Sequence, residues 1–572
     1  MTWFKLAFVL GASLTSSFTT AQPSGTPSAS SLVAPATSTS TTLAGTAFTG
    51  SYDGKWRPQL HFSAPRGFIN DPNGMYLDAT GTYHLYYQYN PLDTIAGTQH
   101  WGHATSQDLY NWTNQPIALA PNNASSFIFS GSAVVDVNNT SGFFPNQTNG
   151  VIAFYTIAQP TEQTQGLAYS HDNGQSFIKY PGNPILRIPG DVNFRDPKVF
   201  WYEHHWVMVV SYVLEFTVGI YTSPNAITWT FASNFTPHGL TGNQWECPNL
   251  VEMPVEGGGG GEDETMWLMY ISVQPGAPLG GSIGQYYPGR FNGTHFEAVD
   301  AVARIADWGK DNYASQFFYG IDVATGEQIS VGWASNWQYT NYVPTGPAEG
   351  WQSVMTLPRT NYLRNATRLG YTLVSLPHNI DVVRASAPVV GNTSLGNSTL
   401  RADLADGDGA FLLDVNVTGI NTTVLSSSAS VNFTISSSKS RESITGGTLV
   451  ATDSTQWIDR RNIRGWDHPF NTGRFSTSFV VTNSLDFQVV VDRSIVEMFS
   501  QRGERSATLV YYPEELLDTV QVGTKGMNSG ARVSVAVYQL RRTWPAGVVY
   551  PNATMAGMMS ERELVGEGMW IA

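Results

Sequence analysis

Short strand-like segments separated by turn-forming residues run through almost the whole chain from about residue 57 onward. Clear examples are residues 83–89, 150–155, 206–210, 266–271 and 329–333, which are rich in aromatic and β-branched side chains. Almost no helical periodicity separates the segments of the first 360 residues. Many short strands at regular spacing are typical of a propeller, a sandwich or a barrel. The pattern therefore predicts an all-β protein.

Chain length and a change of composition predict two folded domains. The chain has 572 residues, which is more than one hydrophobic core usually organises. Small and polar residues replace the aromatic strands at 379–400, and we place a linker there. This predicts a first β domain at 51–378 and a second one at 401–572, whose alternating strands favour a sandwich. The second domain shows no cluster of titratable residues in sequence, so we expect it to be structural.

The N-terminus predicts export. Lys5 is followed by a short apolar stretch at 6–14 and by small residues, which is typical of a signal peptide at 1–21. Residues 22–50 are mostly Ser, Thr, Ala, Pro and Gly, which predicts a disordered and O-glycosylated segment. Asn-x-Ser/Thr sequons recur further on, for example at Asn111 and Asn292. We therefore expect a secreted glycoprotein that is extracellular or associated with the cell wall.

Composition argues against several classes of partner and site. The net charge is −14 and no cluster of Lys and Arg is present, which disfavours nucleic acid and anionic membrane as partners. Cys247 is the only cysteine, so an intrachain disulfide and a Cys-based zinc site are both excluded. We expect neither a metal nor a cofactor.

Three short motifs each place a carboxylate beside a turn-forming residue. They are Asn-Asp-Pro-Asn-Gly at 70–74, Phe-Arg-Asp-Pro at 194–197 and Trp-Glu-Cys-Pro at 245–248. Taken singly, the three are explained by a turn, a local ion pair and a cap. A retaining glycoside hydrolase, however, needs two carboxyl groups in opposite protonation states. A propeller brings distant loops to one axis, so these motifs would meet there.

The neighbouring motifs point to a known family. Trp-Gly-His-Ala-Thr-Ser at 101–106, Phe-Ser-Gly-Ser at 129–132, Ala-Ser-Asn-Trp at 334–337 and Val-Asp-Arg-Ser-Ile-Val-Glu-Met-Phe at 491–499 occur in order with the three carboxylates. Together they resemble the fungal and yeast-type invertases, the β-fructofuranosidases of glycoside hydrolase family 32. The resemblance covers most of the chain after the N-terminal segment. It implies a five-bladed β-propeller followed by a C-terminal β-sandwich.

The resemblance also implies roles for single residues. Asp71 matches the nucleophile, Glu246 the acid/base, and Asp196 the residue that holds fructose hydroxyls, with Arg195 beside it to keep Asp196 ionised. Positions that match the sugar pocket are Phe68, Ile69, Asn70, Gln88, Phe129, Ser130, Arg195, Asn336 and Trp337. We expect His103 to be structural. Cys247 either tunes the polarity beside Glu246 or is a small buried filler.

Two positions depart from the family pattern. Phe68-Ile69 stand where relatives commonly carry Trp-Met, and Ala96 stands where yeast-type invertases carry Trp. Both positions belong to the aromatic wall that the resemblance implies beside the nucleophile. Loss of this surface would favour transfer of fructose to a second sugar. Alternatively, Trp101 or Phe129 fills the gap and nothing changes.

We therefore expect a secreted, retaining β-fructofuranosidase that hydrolyses the terminal β-fructofuranoside of sucrose and short fructans, with transfructosylating side activity. A dedicated fructosyltransferase that makes fructooligosaccharides from sucrose, an inulinase or levanase, and a non-catalytic fructan-binding protein are the alternatives. The sequence leaves open the accepted chain length and the oligomeric state. The resemblance implies a homo-oligomer formed through the sandwich.

Overall fold

The computed structural model describes residues 50–550 except 124, 258–263, 367–369, 405–407 and 548. The signal peptide predicted at 1–21 and almost all of the segment predicted at 22–50 lie outside the described residues. Across the described part of the chain, no helix combines the length and the apolar character that crossing a membrane requires.

Five antiparallel sheets form the blades of a propeller. Blade I contains Gly67–Leu77, Tyr83–Asn90, His100–Ser106 and Trp112–Leu119, with Trp351–Gln352 pairing in parallel along the first of them. Blade II contains Phe127–Val135, Val151–Gln159, Glu162–Ser170, Ile178–Lys179 and Leu186–Arg187. Blade III contains Phe194–Tyr202, His205–Tyr212, Thr217–Ser223 and Thr230–Phe235.

The last two blades complete the propeller. Blade IV contains Trp245–Glu256, Thr265–Val273, Ile283–Phe291, Phe296–Ala298 and Arg304–Ile305. Blade V contains Tyr313–Phe317, Gln328–Ala334, Val354–Met355, Arg359–Ala366 and Gly370–Pro377. The first strand of every blade contacts the first strands of the two adjacent blades, and these five strands therefore surround a common axis.

Helical segments within the described residues are short. They are the α-helix Thr345–Glu349 and the 3₁₀ turns Val213–Glu215, Val323–Thr325, Thr340–Tyr342 and Ile380–Val382. Nearly all of the regular structure is therefore β, which confirms the predicted all-β class.

Two six-stranded sheets form a C-terminal sandwich, as predicted. One contains Val390–Asn392, Ala410–Thr418, Ser484–Asp492, Ile495–Ser500, Arg505–Val510 and Arg532–Gln539. The other contains Thr399–Asp403, Ser430–Ser436, Ser443–Leu449, Asp453–Asn462, Arg474–Val480 and Thr519–Lys525. Alternate residues such as Phe411, Leu413, Phe433 and Ile435 are buried between the sheets, because successive side chains of a strand point to opposite faces. A further short pair joins Gly50–Ser51 to Val549–Tyr550.

Part of the linker predicted at 379–400 belongs to the sandwich. Val390–Asn392 pairs with Arg532–Gln539, and Thr399–Asp403 pairs with Thr519–Lys525. The composition of this stretch is polar overall, but Leu395 is buried in the sandwich core. Its few apolar residues are therefore enough to attach it as edge strands.

The expectation that the sandwich lacks clustered titratable residues is wrong. Asp492 and Glu497 are fully buried, and both bond His61, which precedes blade I. Arg359 of blade V donates to Glu497 Oε2 at 2.6 Å and to Asp307 Oδ2 at 3.2 Å. The partners of the sandwich carboxylates come from the propeller region, so sequence within the sandwich alone could not identify the cluster. We call these five side chains the interface cluster.

Candidate active site

The first strand of each blade is irregular near its start. Pairing shifts between Ile69 and Pro72, Phe129 and Gly131, Arg195 and Lys198, Glu246 and Asn249, and Tyr313 and Gln316. A bulge changes the direction of a side chain relative to the regular ladder. All five irregularities lie at the same end of the five axial strands. They therefore direct side chains from all five blades toward one place on the axis.

Three of the bulges contain a residue in the left-handed backbone region. The φ angles are 68° at Asp196, 48° at Cys247 and 50° at Ala314. This conformation is strained for residues that have a Cβ atom, and such strain is concentrated at functional sites. At Cys247 it allows the backbone N–H to donate to Asp196 Oδ2 at 2.9 Å.

The three predicted carboxylates lie in one site. Cys247 Sγ is 3.4 Å from Asp71 Oδ2 and 3.6 Å from Asp196 Oδ2. Glu246 precedes Cys247 on the first strand of blade IV. Side chains from blades I, III and IV, far apart in sequence, therefore meet around a single sulfur atom.

Asp71 is held by neutral donors. Ser130 Oγ donates to its Oδ2 at 2.6 Å, and Asn70 Nδ2 donates to its Oδ1 at 3.2 Å. Gln99 in turn fixes Asn70 by donating to its Oδ1 at 2.8 Å. Burial raises the pKa of Asp71 above its ordinary value, and the charge of Glu246 adds to this, while the bond from Ser130 opposes it. The side chain is thus fixed in position, but no cation among the described residues bonds it.

Glu246 has a different set of partners. Arg195 donates to its Oε1 from Nε at 3.1 Å and from Nη2 at 2.7 Å. The hydroxyl of Tyr313 donates to Oε2. Sequence reasoning missed Tyr313, which opens the first strand of blade V and belongs to no recognisable motif. Both oxygens of Glu246 are therefore oriented by the protein.

Asp196 lies between these two groups. Burial, together with the nearby charges of Glu246 and Asp71, raises its pKa to about 7, although the charge of Arg195 opposes the shift. We expected Arg195 to keep Asp196 ionised, but its hydrogen bonds go to Glu246 and to Gln163 Oε1. One guanidinium faces three carboxylates here. Asp196 therefore retains a proton in the mildly acidic range.

Comparison with known proteins agrees with this geometry. The model of the glycosyl hydrolases family 32 N-terminal domain matches residues 61–377, and that of the family 32 C-terminal domain matches 389–539. The chain belongs to glycosyl hydrolase family 32. The resemblance predicted from the motifs is thereby confirmed, as is the enzyme class: a glycoside hydrolase of the β-fructofuranosidase type.

Individual family 32 relatives align over most of their length. Invertase 2 of Saccharomyces cerevisiae is 38% identical over 484 residues, which are 80% of this chain and 89% of the relative. An extracellular exo-inulinase of Meyerozyma guilliermondii is 38% identical over 475 residues, covering 80% and 90% respectively. The solved structure of a fructofuranosidase from Schwanniomyces occidentalis complexed with fructose superposes with a TM-score of 0.78 at 33% identity, over 86% of this chain and 99% of that one.

Several positions that match the family 32 sugar pocket do reach the site. Asn70 and Ser130 bond Asp71, while Arg195 bonds Glu246. Gln88 is buried, and its Nε2 has no hydrogen-bond partner within the described residues, which leaves a donor for a ligand. Phe129 is partly exposed.

Phe68 and Ile69 expose no side-chain surface in this structure. Both side chains are fully buried, and Ile69 packs in a core cluster with Phe62, Tyr89 and Met355. The strand enters its bulge directly after Ile69, and this change of register directs Asn70 and Asp71 to the site while the two apolar residues before them stay in the core. Phe68 nevertheless packs in one cluster with Cys247 and Tyr313, and substrate contact by Phe68 and Ile69 stays a prediction.

Asn336 supports the site from behind. Its side chain is fully buried and donates to Lys310 O at 2.9 Å and Gly280 O at 3.4 Å, while its Oδ1 accepts from Gln338 N at 3.0 Å. These bonds leave the amide little capacity for a sugar. They fix the loop that carries Trp337, which is partly exposed.

An aromatic cluster replaces the wall expected beside the nucleophile. The Trp337 ring lies 4.9 Å from Trp333 and 6.2 Å from Phe68, measured between centroids, and Ala96 packs against the same cluster. Trp101 is fully buried and donates from Nε1 to Phe129 O at 3.0 Å, so it does not fill the space near Ala96. Trp337 is the partly exposed aromatic of this cluster.

The two remaining candidates differ in role. His103 is fully buried and stacks on Tyr86 at 4.3 Å, and burial lowers its pKa well below its ordinary value, which fits a structural histidine. Cys247 is buried in contact with two carboxylates, and burial raises the pKa of its thiol, so it stays protonated and donates.

Within the described residues, no group of three or more His, Cys, Asp or Glu side chains could hold a metal ion.

Proposed function

We propose that this chain is a retaining β-fructofuranosidase that hydrolyses the terminal β-fructofuranoside of sucrose and short fructans. The observation that carries the proposal is the asymmetry between two carboxylates in one site. Among the described residues, the donors to Asp71 are neutral, whereas Glu246 accepts from a guanidinium and a phenol. Retaining glycosidases assign different roles to two such carboxyl groups.

In the first step, a carboxylate oxygen of Asp71 attacks the anomeric carbon C2 of the fructosyl unit. The bond from C2 to the bridging oxygen breaks, and Glu246 gives its proton to that oxygen, which leaves as the glucose hydroxyl. The product is a covalent fructosyl ester of Asp71. Ser130 and Asn70 keep the attacking carboxylate in position, which lowers the entropic cost of the step.

In the second step, water attacks C2 from the side that glucose left. Glu246 accepts the proton of the water, and the bond between C2 and Asp71 breaks to restore the carboxylate. Two inversions at C2 give net retention. Arg195 and Tyr313 keep Glu246 oriented toward the same position in both steps.

Asp196 is assigned to the fructose hydroxyls. Its backbone N–H donates to Thr156 Oγ1 at 3.0 Å, and its side chain accepts from Cys247 N, so its position is fixed from two sides. This rigidity supports a role in binding, since a preorganised group stabilises a transition state without reorganising.

Secretion and substrate range complete the proposal. A relative that is 38% identical is described as an extracellular exo-inulinase, which supports export and fructans as substrates. Sucrose is supported by the invertase relative. Transfer to a second sugar is proposed as a side reaction, because the small Ala96 leaves the partly exposed Trp337 uncovered. A homo-oligomer remains a prediction.

The reaction can be tested with sucrose in aqueous methanol. A retaining enzyme gives methyl β-fructofuranoside, and NMR identifies the anomer, which is stable because the glycoside does not mutarotate. Formation of the α-anomer would exclude the double displacement. Asp71→Asn is the matched variant, and fructose release that continued at the wild-type rate would exclude Asp71 as nucleophile. A product profile at low and high sucrose then separates hydrolase from dedicated transferase.

A further inference from the structure

An exposed group of aromatic rings lies where the two domains meet. Trp466, His468 and Phe470 belong to the sandwich loop between the strands Asp453–Asn462 and Arg474–Val480, and Tyr342 belongs to a propeller loop. Tyr342 is 67% exposed and Phe470 is 51% exposed. We call these four side chains the rim platform. Large exposed aromatics that contact one another mark binding surfaces more often than isolated ones do.

Three of the rings are nearly parallel. Tyr342 and His468 have centroids 5.4 Å apart at an interplanar angle of 16°, and His468 and Trp466 have centroids 5.5 Å apart at 10°. Phe470 tilts against His468 at 5.7 Å. The loops of two domains thus form one stacked unit with exposed rings at its ends.

Buried ionic groups fix the rim platform in place. Arg460 donates to Asp311 Oδ2 at 2.6 Å and to Thr472 O at 2.9 Å, and Lys310 Nζ donates to Phe470 O at 2.6 Å. Tyr339, beneath the platform, bonds Asp311 and contacts both Trp466 and His468 edge-on. A surface held this firmly loses little conformational entropy when a ligand binds.

The rim platform is continuous with the catalytic site. Asn341, which precedes Tyr342, accepts the N–H of Ala96 at 3.0 Å through its Oδ1. Ala96 in turn packs with Trp337 against the cluster that contains Tyr313 and Cys247. The hydrogen bond between Asn341 and Ala96 therefore connects the loop of the rim platform to the edge of the catalytic site.

We propose that the rim platform binds a sugar ring of a fructan chain longer than two units, so that it selects oligosaccharides over sucrose. The inference rests on the proposed function, since the chain must enter the site through its terminal fructose. Flat rings cover the C–H face of a sugar, while the exposed Asp467 and Asn341 beside them can bond its hydroxyls. This mixture of flat apolar faces and polar neighbours suits a carbohydrate.

The test compares Tyr342→Ala with the wild type on sucrose and on a fructo-oligosaccharide of four sugar units. We expect kcat/KM for the oligosaccharide to fall by about three- to tenfold, mainly through KM, while the value for sucrose changes less than twofold. Phe231→Ala is the control, since Phe231 is 52% exposed but lies on the outermost strand of blade III. It should affect neither substrate.

Calorimetry measures the same preference without turnover. It compares the binding of sucrose and of the oligosaccharide to the inactive Asp71→Asn enzyme, with and without Tyr342→Ala. Equal effects on both sugars, or none, would overturn the inference while leaving the proposed function intact. Failure of the wild type to cleave either sugar would instead refute the proposed function. A shift from dimer to monomer in Tyr342→Ala on sedimentation, with unchanged kinetics, would show that the rim platform pairs with a second copy, which also overturns the inference.

Discussion

Two buried groups of carboxylates in this molecule have opposite consequences. The interface cluster joins Asp492, Glu497 and Asp307 to His61 and Arg359 between the domains. The catalytic group joins Asp71, Asp196 and Glu246 to Arg195 alone. Both contain three acids, so the number of acids does not distinguish a structural site from a reactive one. The two kinds of site differ instead in the number of cations that contact the acids and in how completely the acids are hydrogen-bonded.

The interface cluster is almost fully compensated. Although burial alone would lower it, bonds to Asp492 and Glu497 raise the pKa of His61 to about 9, so the ring is a cation at neutral pH. Burial would raise the pKa of Glu497, but the charge of Arg359 and the bond from His61 hold it below its ordinary value. Asp492 also accepts from the backbone N–H groups of Gln59 and Leu60 at 2.7 Å. Glu497 is therefore stable as an anion, whereas burial raises the pKa of Asp307 even though the charge of Arg359 opposes this.

The catalytic group is left undercompensated. Burial and mutual repulsion raise the pKa of both Asp71 and Asp196, and the single guanidinium bonds Glu246. The protein therefore neutralises the negative charge of this group only in part. The interface cluster therefore stabilises the fold, whereas the catalytic group lowers its stability.

The largest expected effect is on catalysis by Glu246→Gln. We expect kcat to fall by about 10²–10⁴-fold, since the variant can neither donate nor accept the proton, while stability and sucrose binding change little. Steady-state kinetics and denaturant unfolding of the same sample measure both quantities. If kcat/KM stayed within about tenfold of the wild type, a difference of about 1.4 kcal/mol, another residue would have to be the acid.

The matching change at the interface, Glu497→Gln, should have the opposite profile. It leaves the buried Arg359 and His61 without their shared partner, so we expect a loss of about 3–5 kcal/mol in the free energy of unfolding. Activity per folded molecule should remain near that of the wild type. Urea unfolding followed by tryptophan fluorescence gives the first quantity.

Glu162→Gln is the control for this change. Glu162 pairs with Arg187, which is 52% exposed, and such surface pairs contribute less than about 1 kcal/mol. A Glu497→Gln variant as stable as this control would mean that the interface cluster does not hold the domains together.

This contrast also shows what sequence could and could not reveal. The motifs around Asp71, Asp196 and Glu246 identified the family and the acids because those residues lie in short local patterns. Tyr313 was missed because its contact with Glu246 joins blades V and IV and leaves no trace in the residues around it.

Orientation was the harder problem. Phe68 and Ile69 are close to Asp71 in sequence, yet the bulge that follows them leaves both side chains fully buried. A bulge has no dependable sequence signal, so the burial of these two side chains could not be read from the sequence. The interface cluster was missed for a related reason, because His61 and Glu497 are far apart in the chain and their pairing depends on how the domains pack.

The two groups should also change the stability of the protein in different pH ranges. The interface cluster should do so at the higher pH. The pKa of His61 rises from 6.5 to about 9 on folding, so its contribution is complete below pH 6.5 and is lost as pH rises through 9. We expect up to about 3 kcal/mol of stability to disappear across this range. Unfolding curves at pH 6, 7.5 and 9 measure the slope, and His61→Gln should flatten it. A wild-type curve that is level there would contradict the assigned charge of His61.

The catalytic group should lower stability in a more acidic range. The pKa of Asp196 rises from 3.8 to about 7 on folding, so the folded state holds a proton that the unfolded state releases, and stability falls as pH rises through 7. Asp196→Asn removes this penalty. We expect the variant to gain about 1–3 kcal/mol over the wild type at pH 8 and much less at pH 4, while losing activity. A gain that was equal at both pH values would have another origin.

The smallest expected effect concerns the partition of the fructosyl-enzyme between water and a second sugar. Ala96 packs beside Trp337, and its N–H is held by Asn341, so the loop is fixed and a larger side chain must occupy the space beside the aromatic cluster. Ala96→Trp should lower the ratio of transferred to free fructose at high sucrose by about two- to fivefold, an energy of about 0.5–1 kcal/mol. Leu92→Trp is the matched control, since it adds the same side chain to the same loop at a position that is 39% exposed. Chromatography of the products measures this ratio. If it stayed the same in both variants, Ala96 would not set the partition and the acceptor sugar would be bound elsewhere. The rim platform would then be the next candidate for binding the acceptor.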